Sequence, residues 1–266
     1  RAADPPMATD TIFRIYSMTK PVTSVAVLML WERGLVELDA PVETYLPELD
    51  SLQVYKSGLR RVPLQRSVTV RDLMRHTSGM TYGFFSRTPV DRLYRRAHPI
   101  DASDQDGLVA ALAALPLLYQ PGEKWHYSIS TDVLGALVER VSGQPLGEFF
   151  AENIFSPLQM VDTGFHIPDA SLSRFAASYG PGLLLLDAPQ SSDFRNPARL
   201  QTGGGGLVST AQDYMNFCRM LLDDGVFSGQ RLLQAATVQE MISNQLPPGE
   251  RLYETSGFGL GVMIKL

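Results

Sequence analysis

Cysteine is almost absent from this chain: Cys218 is the single copy among 266 residues. One cysteine excludes an internal disulfide and a zinc site built from several thiolates. Long apolar runs are absent too, because the longest covers only residues 108–115, whereas a transmembrane helix needs about 18 residues or more. An excess of positive charge is also lacking, since the net charge is −5. We therefore expect no membrane span and no nucleic-acid partner.

The overall composition predicts a folded chain. Hydrophobic residues form 44% of it and charged residues 19%, a composition typical of soluble globular proteins. No positively charged segment followed by an apolar stretch opens the sequence, so no signal peptide is predicted and the expected location is cytoplasmic. The chain starts at Arg1 and stops at Leu266, and we expect it to be part of a longer protein.

Apolar periodicity predicts several helices. Residues 17–33 have apolar side chains on all sides of the helix, which predicts a buried helix that ends at Gly34. Two capping-box patterns predict helix starts at Thr69 and Thr210. Further helices are predicted over about 105–116, over 131–141 and from Pro145 onward.

Strands are predicted near both ends of the chain. Residues 11–16 have strand character, and apolar residues alternate strictly over 257–266. Three segments without a clear period are expected to be irregular: 36–66, 80–105 and 162–200. This order of elements predicts an α/β body wrapped around a helical insertion.

Ser17 and Lys20 form an S-x-x-K pattern at the start of the predicted buried helix. A spacing of three places both side chains on one helix face, close enough to touch. A serine hydroxyl needs an adjacent base to act as a nucleophile at neutral pH, and burial favours the neutral, basic form of an amine. The helix end also favours an oxyanion near the Ser17 amide. The alternative is that Ser17 only caps the helix and Lys20 is a solvated charge.

Four blocks of sequence carry a family resemblance. They are FRIYSMTKPVT at 13–23, TVRDLMRHTSGM at 69–80, PGEKWHYS at 121–128 and GGGGLVSTA at 203–211. In this order they resemble the motifs of the serine β-lactamase and DD-peptidase superfamily. Within it, their residues are most similar to those of the family VIII carboxylesterases. The resemblance implies an α/β fold with an antiparallel sheet flanked by helices and a helical insertion. We assign 1–35 and 200–266 to a discontinuous α/β domain, and 36–199 to a mostly helical domain with long loops.

The resemblance also implies roles for individual residues. Ser17 matches the acylated nucleophile, Lys20 the motif lysine and Tyr127 the tyrosine of the second motif. A phenol beside an amine is chemically suited to relay the serine proton. The alternative for Tyr127 is a core aromatic residue whose hydroxyl is paired.

Two departures from the family pattern bear on the substrate. Ile129 occupies the place where β-lactamases of this type have an asparagine, and an isoleucine side chain can neither donate nor accept a hydrogen bond. Family VIII esterases commonly have an apolar residue there, so Ile129 favours an ester over a lactam or a peptide. The third motif, K-T-G in β-lactamases and often W-x-G or H-x-G in esterases, does not occur between the glycine block and Leu266.

Other residues near these motifs are candidates for substrate contact. Tyr82, Phe84 and Trp125, together with Ile129, are predicted to line an acyl pocket, although ordinary packing of a long loop explains the aromatic residues equally well. A serine–histidine triad is not favoured: we interpret His76 as structural and His126 as a supporting or surface residue. A G-x-S-x-G elbow is absent, which argues against an α/β-hydrolase.

We therefore predict a serine carboxylesterase that cleaves short-chain esters through an acyl-enzyme on Ser17, with Lys20 and Tyr127 as the general base system. A small-molecule ester is the expected partner, and the reaction implies no metal or organic cofactor. One alternative is a β-lactamase, DD-peptidase or acyltransferase of the same fold. Another is a penicillin-recognising or scaffold protein that does not catalyse a reaction.

Overall fold

The computed structural model describes residues 6–266, so the first five residues of the predicted α/β domain lie outside the described part of the chain. The helices, in chain order, are α1 (Thr19–Glu32), α2 (Val70–Met74), α3 (Pro89–Ala97), α4 (Gln105–Ala113), α5 (Ser130–Ser142), α6 (Leu146–Phe150), α7 (Ala211–Leu222) and α8 (Ala235–Ile242). The strands are β1 (Phe13–Arg14), β2 (Gln53–Ser57), β3 (Arg60–Pro63), β4 (Ser178–Tyr179), β5 (Leu185–Asp187), β6 (Val208–Ser209), β7 (Val226–Phe227), β8 (Gln230–Arg231), β9 (Ser256–Phe258) and β10 (Met263–Lys265).

Helix α1 is the centre of the fold. Its residues from Val22 to Leu30 are all buried, as the apolar pattern on every side of the helix predicted. A single 3₁₀ turn, Tyr16–Met18, precedes it, and Gly34, with φ +70°, follows its end. Helix α5 packs closely against α1. Tyr127 precedes α5 and Ser17 precedes α1, so this packing brings the two residues near each other.

The strands form five antiparallel pairs within the described residues. The pair of β1 with β6 matters most for the site, because Phe13 lies opposite Ser209 and Arg14 opposite Val208. This register brings the segment before Ser17 beside the segment that follows the glycine run. The predicted α/β class with antiparallel pairing is confirmed, although the strands form separate pairs and not one broad sheet.

Four sequence predictions were wrong. Residues 162–200 contain the short antiparallel pair of β4 and β5. Residues 80–105 contain helix α3, which begins with a complete capping box between Thr88 and Asp91. Residues 36–66 contain the β2–β3 hairpin. The alternating segment 257–266 folds back on itself as β9 and β10, because Gly261 has φ +90° and the amide of Gly259 donates to the Val262 carbonyl at 2.8 Å.

One main apolar core runs through the molecule. It extends from Ile15 to Leu260 and includes residues from α1, α5 and α8, so it crosses the boundaries of the two predicted domains. The division into two domains stays a prediction. Within residues 6–266, no helix has the length and apolar character that crossing a membrane would require.

Candidate active site

Ser17 lies at the surface, in the 3₁₀ turn between β1 and α1. The preceding residue, Tyr16, has φ +43°, a left-handed conformation that non-glycine residues adopt at a cost. This turn directs the chain sharply from the strand into the helix. As a result, the Ser17 side chain lines an open cavity while the next turn of the helix is buried.

Lys20 is buried directly beneath Ser17. The residue is only 4% exposed, and its Nζ lies 3.4 Å from the Ser17 Oγ. The same Nζ donates to the Gly204 carbonyl at 2.5 Å. The three-residue spacing thus produces the contact that the sequence predicted, and the hydrogen bond to Gly204 holds the amine in place.

Tyr127 completes the group of three predicted catalytic residues. It lies in the segment before α5 and lines the same cavity as Ser17. The Lys20 Nζ is 4.8 Å from the centre of the Tyr127 ring and 5.2 Å from that of Tyr82, which is within cation–π distance. The structure therefore brings Ser17, Lys20 and Tyr127 together, and their catalytic roles stay a prediction.

Asp132 is a site residue that sequence reasoning missed. It lies in the first turn of α5, where its carboxylate accepts from the Tyr82 hydroxyl at 2.9 Å and from the Gly204 amide at 3.0 Å. Burial raises the pKa of Asp132, while the nearby charge of Lys20 opposes that shift. In the sequence, an aspartate in a first helical turn indicates only a favourable interaction with the helix dipole, so no pattern pointed to the site.

Asp132 and Lys20 together hold the glycine run. Lys20 binds the carbonyl of Gly204 and Asp132 binds its amide, while Thr23 of α1 donates to the Gly203 carbonyl at 2.7 Å. The hydroxyl of Tyr82 is used in bonding to Asp132, and burial followed by the Asp132 charge raises the pKa of Tyr82. Polar contacts on both sides therefore fix this backbone next to Ser17.

A cavity of about 660 Å³ opens above these residues. Tyr82, Phe84 and the neighbouring Phe85 line it, which places two of the predicted substrate-binding residues at the cavity. Trp125 lies behind Tyr127, packed against His76 and Phe258 with ring centres 6.3 Å and 5.7 Å apart.

The remaining predicted contact, Ile129, is 2% exposed and belongs to the core. Neither Ile129 nor Trp125 is among the described residues that line the cavity, so their roles in substrate binding stay predictions without a contact to support them.

His76 supports Tyr127 from the buried side. Its ring centre is 4.8 Å from that of Tyr127, and its Nδ1 is 3.4 Å from the Ser128 hydroxyl. Burial, assisted by the charge of Lys20, lowers the pKa of His76 to about 3. The imidazole is therefore neutral at physiological pH, which fits the structural role interpreted from the sequence.

The Nε2 of His126 is 3.3 Å from the Thr81 hydroxyl, and His126 is not among the described residues that line the cavity. Metal ligation has no support elsewhere, since residues 6–266 contain no group of three His, Cys, Asp or Glu side chains able to hold a metal ion. The described site presents a serine, an amine, a phenol and the polar backbone around them.

A family comparison covers the complete sequence. The beta-lactamase family model matches residues 1–266, the whole chain. The chain belongs to the beta-lactamase family. This membership confirms the resemblance that the four sequence blocks indicated, and the mixed α/β structure with antiparallel pairs is the fold expected for it.

Relatives within the beta-lactamase family include enzymes of two kinds. Esterase EstB of Burkholderia gladioli is 34% identical over 89% of this chain and 63% of its own length. Monacolin J acid methylbutanoyltransferase of Aspergillus terreus is 34% identical over 92% of this chain and 60% of its own length.

Among solved structures, unliganded simvastatin synthase of Aspergillus terreus has a TM-score of 0.82 at 30% identity, over 98% of this chain and 70% of that one. The chain thus spans about 60% of the length of these two curated relatives. This beta-lactamase family chain shares its fold with serine hydrolases and acyltransferases.

Proposed function

We propose that this protein is a serine carboxylesterase that cleaves short-chain esters through an acyl-enzyme on Ser17. The observation that carries the proposal is the position of the buried Lys20 amine, 3.4 Å from the hydroxyl of an exposed serine. A nucleophile in contact with a potential base, at the edge of a cavity, is the arrangement that acyl transfer requires.

The proposed reaction has two stages. In the first, the Ser17 Oγ bonds to the ester carbonyl carbon, the Ser17 proton passes to the Lys20–Tyr127 pair, and the alcohol leaves with a proton from that pair. In the second, water loses a proton to the same pair and attacks the acyl carbon, which releases the carboxylic acid and restores the serine. The Ser17 amide, at the start of a helix, is proposed to donate to the oxyanion in both stages.

The fixed position of Lys20 suits this role. Its hydrogen bond to the Gly204 carbonyl and its position over the Tyr127 ring restrict its motion. A preorganised base needs little rearrangement when the serine proton moves. Tyr127 lines the cavity beside it, where a phenol can reach a leaving oxygen.

The cavity walls support an ester with a modest apolar group. Phe84 and Phe85 are both exposed in the cavity, with ring centres 4.5 Å apart, and aromatic surfaces of this kind bury an acyl chain well. Ile129 adds only the sequence argument, because its side chain is buried in the core and is not among the described residues that line the cavity. Esters are therefore proposed as preferred substrates over β-lactams.

A labelling experiment tests the nucleophile. Treatment of the full chain with a fluorophosphonate, followed by peptide mass spectrometry, is expected to place one adduct on Ser17. The variant S17A is expected to lose both the adduct and ester turnover, whereas S51A, at an exposed serine elsewhere, keeps both. An adduct on another serine, or none, contradicts the proposal and favours a non-catalytic scaffold.

A parallel assay tests the substrate class. Hydrolysis of 4-nitrophenyl butyrate is expected to exceed hydrolysis of a chromogenic cephalosporin by kcat/KM. Dominant cephalosporin turnover would contradict the esterase proposal while leaving the Ser17 mechanism intact.

Acyl transfer to an alcohol is the second candidate. One relative is named for methylbutanoyl transfer, and a cavity of about 660 Å³ has room for more than a short acyl group. In this case an alcohol replaces water in the second stage. Added alcohol acceptors would then yield new esters faster than free acid, detectable by chromatography.

A further inference from the structure

Arg199 is a cation on the cavity wall that the proposed mechanism does not use. It lines the same cavity as Ser17, and it is the only lysine or arginine among the described residues that do so. Its side chain is 22% exposed, which leaves part of the guanidinium accessible from the cavity. The Arg199 side chain therefore either stabilises the cavity wall or binds a group of the substrate.

The position of Arg199 relative to the nucleophile is well defined. Its Nη1 points toward the Gly206 carbonyl at 3.4 Å, and its guanidinium lies over the Phe194 ring at 4.2 Å. Gly206 is two residues after Gly204, whose carbonyl binds Lys20. Two residues of extended chain span at most about 7 Å, so Arg199 and the Ser17–Lys20 pair are anchored to neighbouring parts of one short segment.

Few acceptors satisfy Arg199. A guanidinium has five N–H donors, and here Nε faces Asp193 at 2.9 Å while the contact to Gly206 is long. Arg75, by contrast, donates from all three nitrogens, to Thr77, Asp72 and Gln245. Within the described residues, the Nη2 of Arg199 has no hydrogen-bond partner. Burial lowers the pKa of Arg199 despite the neighbouring charge of Asp193.

The acidic residues near the cavity do not cancel this charge. Asp193 is 71% exposed and Asp101 is 69% exposed, so water screens both carboxylates. Arg199 is held more deeply, where a charge interacts more strongly with a ligand than it does in water. A third lining carboxylate, that of Asp132, is buried and already accepts from the Tyr82 hydroxyl and the Gly204 amide. An anionic group entering the cavity would therefore meet a fixed cation, beside two solvated carboxylates and one that is already hydrogen-bonded.

We propose that Arg199 binds a carboxylate on the substrate, so that the preferred esters carry a free carboxylate a few bonds from the ester group. This inference rests on the proposed esterase function and names its substrate class. A planar fork of donors matches a carboxylate well. The carboxylate belongs either to the acyl group or to the alcohol, and the experiment separates these two sources.

The test compares matched substrates on the full chain. For a carboxylate on the alcohol, 3-acetoxybenzoate is compared with 3-acetoxybenzamide. For one on the acyl group, the mono-4-nitrophenyl ester of adipic acid is compared with the corresponding primary amide. The wild type is expected to prefer one of the two acids over its amide by roughly 10-fold in kcat/KM, mainly through KM, the effect of one charge-assisted hydrogen-bonded contact.

Variants then assign the preference to Arg199. R199Q is expected to abolish the acid-over-amide ratio, and R199K to retain only part of it because an ammonium lacks the planar fork. D193N, which removes the competing carboxylate, is expected to increase the ratio. R195Q is the matched control: Arg195 also pairs with an aspartate, Asp169, but is absent from the cavity lining, so it should keep the ratio of the wild type.

The outcomes separate this inference from the proposed function. Equal turnover of acid and amide by the wild type overturns the carboxylate site while leaving the esterase intact. Equal loss of both activities in R199Q, with the ratio preserved, shows a structural role through Gly206 and also overturns it. Absence of turnover for all four esters, together with no Ser17 adduct, means that the proposed function itself has failed.

Discussion

The buried carboxylate of Asp132 is the residue on which the geometry beneath Ser17 most depends. It receives hydrogen bonds from Tyr82 and Gly204 and lies near the charge of Lys20. Replacement by asparagine removes the charge and puts an amide donor where an acceptor is needed. We expect D132N to lose about 1–3 kcal/mol of unfolding free energy and roughly 10-fold in kcat, since about 1.4 kcal/mol of barrier is tenfold in rate.

Asp213 provides the matched control for Asp132. Its carboxylate is also buried and also accepts from a backbone amide, that of Asp162, and from a hydroxyl, that of Thr163. D213N should therefore lose comparable stability in chemical denaturation but keep kcat when assayed well below its melting temperature. Equal losses of kcat in both variants would show that Asp132 acts only through general stability.

His76 predicts a specific pH dependence of stability. Its pKa falls from an ordinary value of about 6.5 to about 3 because the imidazole is buried. Between these values the unfolded chain binds a proton that the folded protein does not, so the free energy of unfolding decreases as the pH falls from about 6.5 toward 3. Between these two pH values the slope approaches about 1.4 kcal/mol per pH unit. Above pH 6.5 the imidazole is neutral in both states, so it no longer lowers the free energy of unfolding.

The variant H76N isolates this contribution. Asparagine tolerates the left-handed backbone of His76, φ +58°, and removes the titrating ring. Urea denaturation at several pH values should give a shallower slope for H76N than for the wild type. H98N, at another left-handed but exposed histidine, controls for the backbone change; a slope unchanged in H76N would be inconsistent with the prediction.

At the scale of elements, the glycine run next to α1 allows a comparison within one segment. A Cβ on Gly204 would lie 2.3 Å from the Asp132 Oδ2 and 2.5 Å from the Tyr82 hydroxyl, whereas one on Gly205 would meet nothing closer than 3.8 Å. G204A should therefore lose about 1–3 kcal/mol, the usual effect of overpacking, and displace the site carboxylate.

G205A is the control variant for G204A. Thermal unfolding should show it within about 0.5 kcal/mol of the wild type, because the site has ordinary space and alanine restricts the unfolded chain. Similar melting temperatures for the two variants would contradict the packing around Gly204.

Capping chemistry shows what local sequence can predict about an element. Thr69 and Asp72 form the complete box that predicted α2. Thr88 and Asp91 form the same box before α3, reinforced by Pro89 in the first turn. That helix was missed because only Val90, Asp91 and Tyr94 are buried, so its sequence offers almost no apolar period.

At the scale of the whole molecule, the site divides into parts that sequence predicts and parts that it does not. Ser17 and Lys20 are three residues apart, so helix geometry alone predicts their contact. The position of Tyr127 depended on the family resemblance. Asp132 contacts the glycine run from 72 residues away, and the contact between Lys20 and Gly204 joins residues 184 apart. Pairings at such separation depend on the complete fold, which no local pattern encodes.

The continuous core makes a last prediction about how the parts of the molecule depend on each other. Buried residues of α1, in the predicted α/β domain, pack against α5 in the predicted helical domain. Expressed alone, residues 36–199 would expose the face of α5 that α1 covers, at about 25 cal/mol for each Å² of apolar surface. We expect this fragment to be digested rapidly by trypsin and to lack dispersed NMR signals, while the full chain resists digestion and unfolds in one thermal transition. A protected fragment with sharp signals would contradict this expectation, as would two separate transitions in the full chain. Either result would show that the helical region is an independent folding unit whose stability does not need α1.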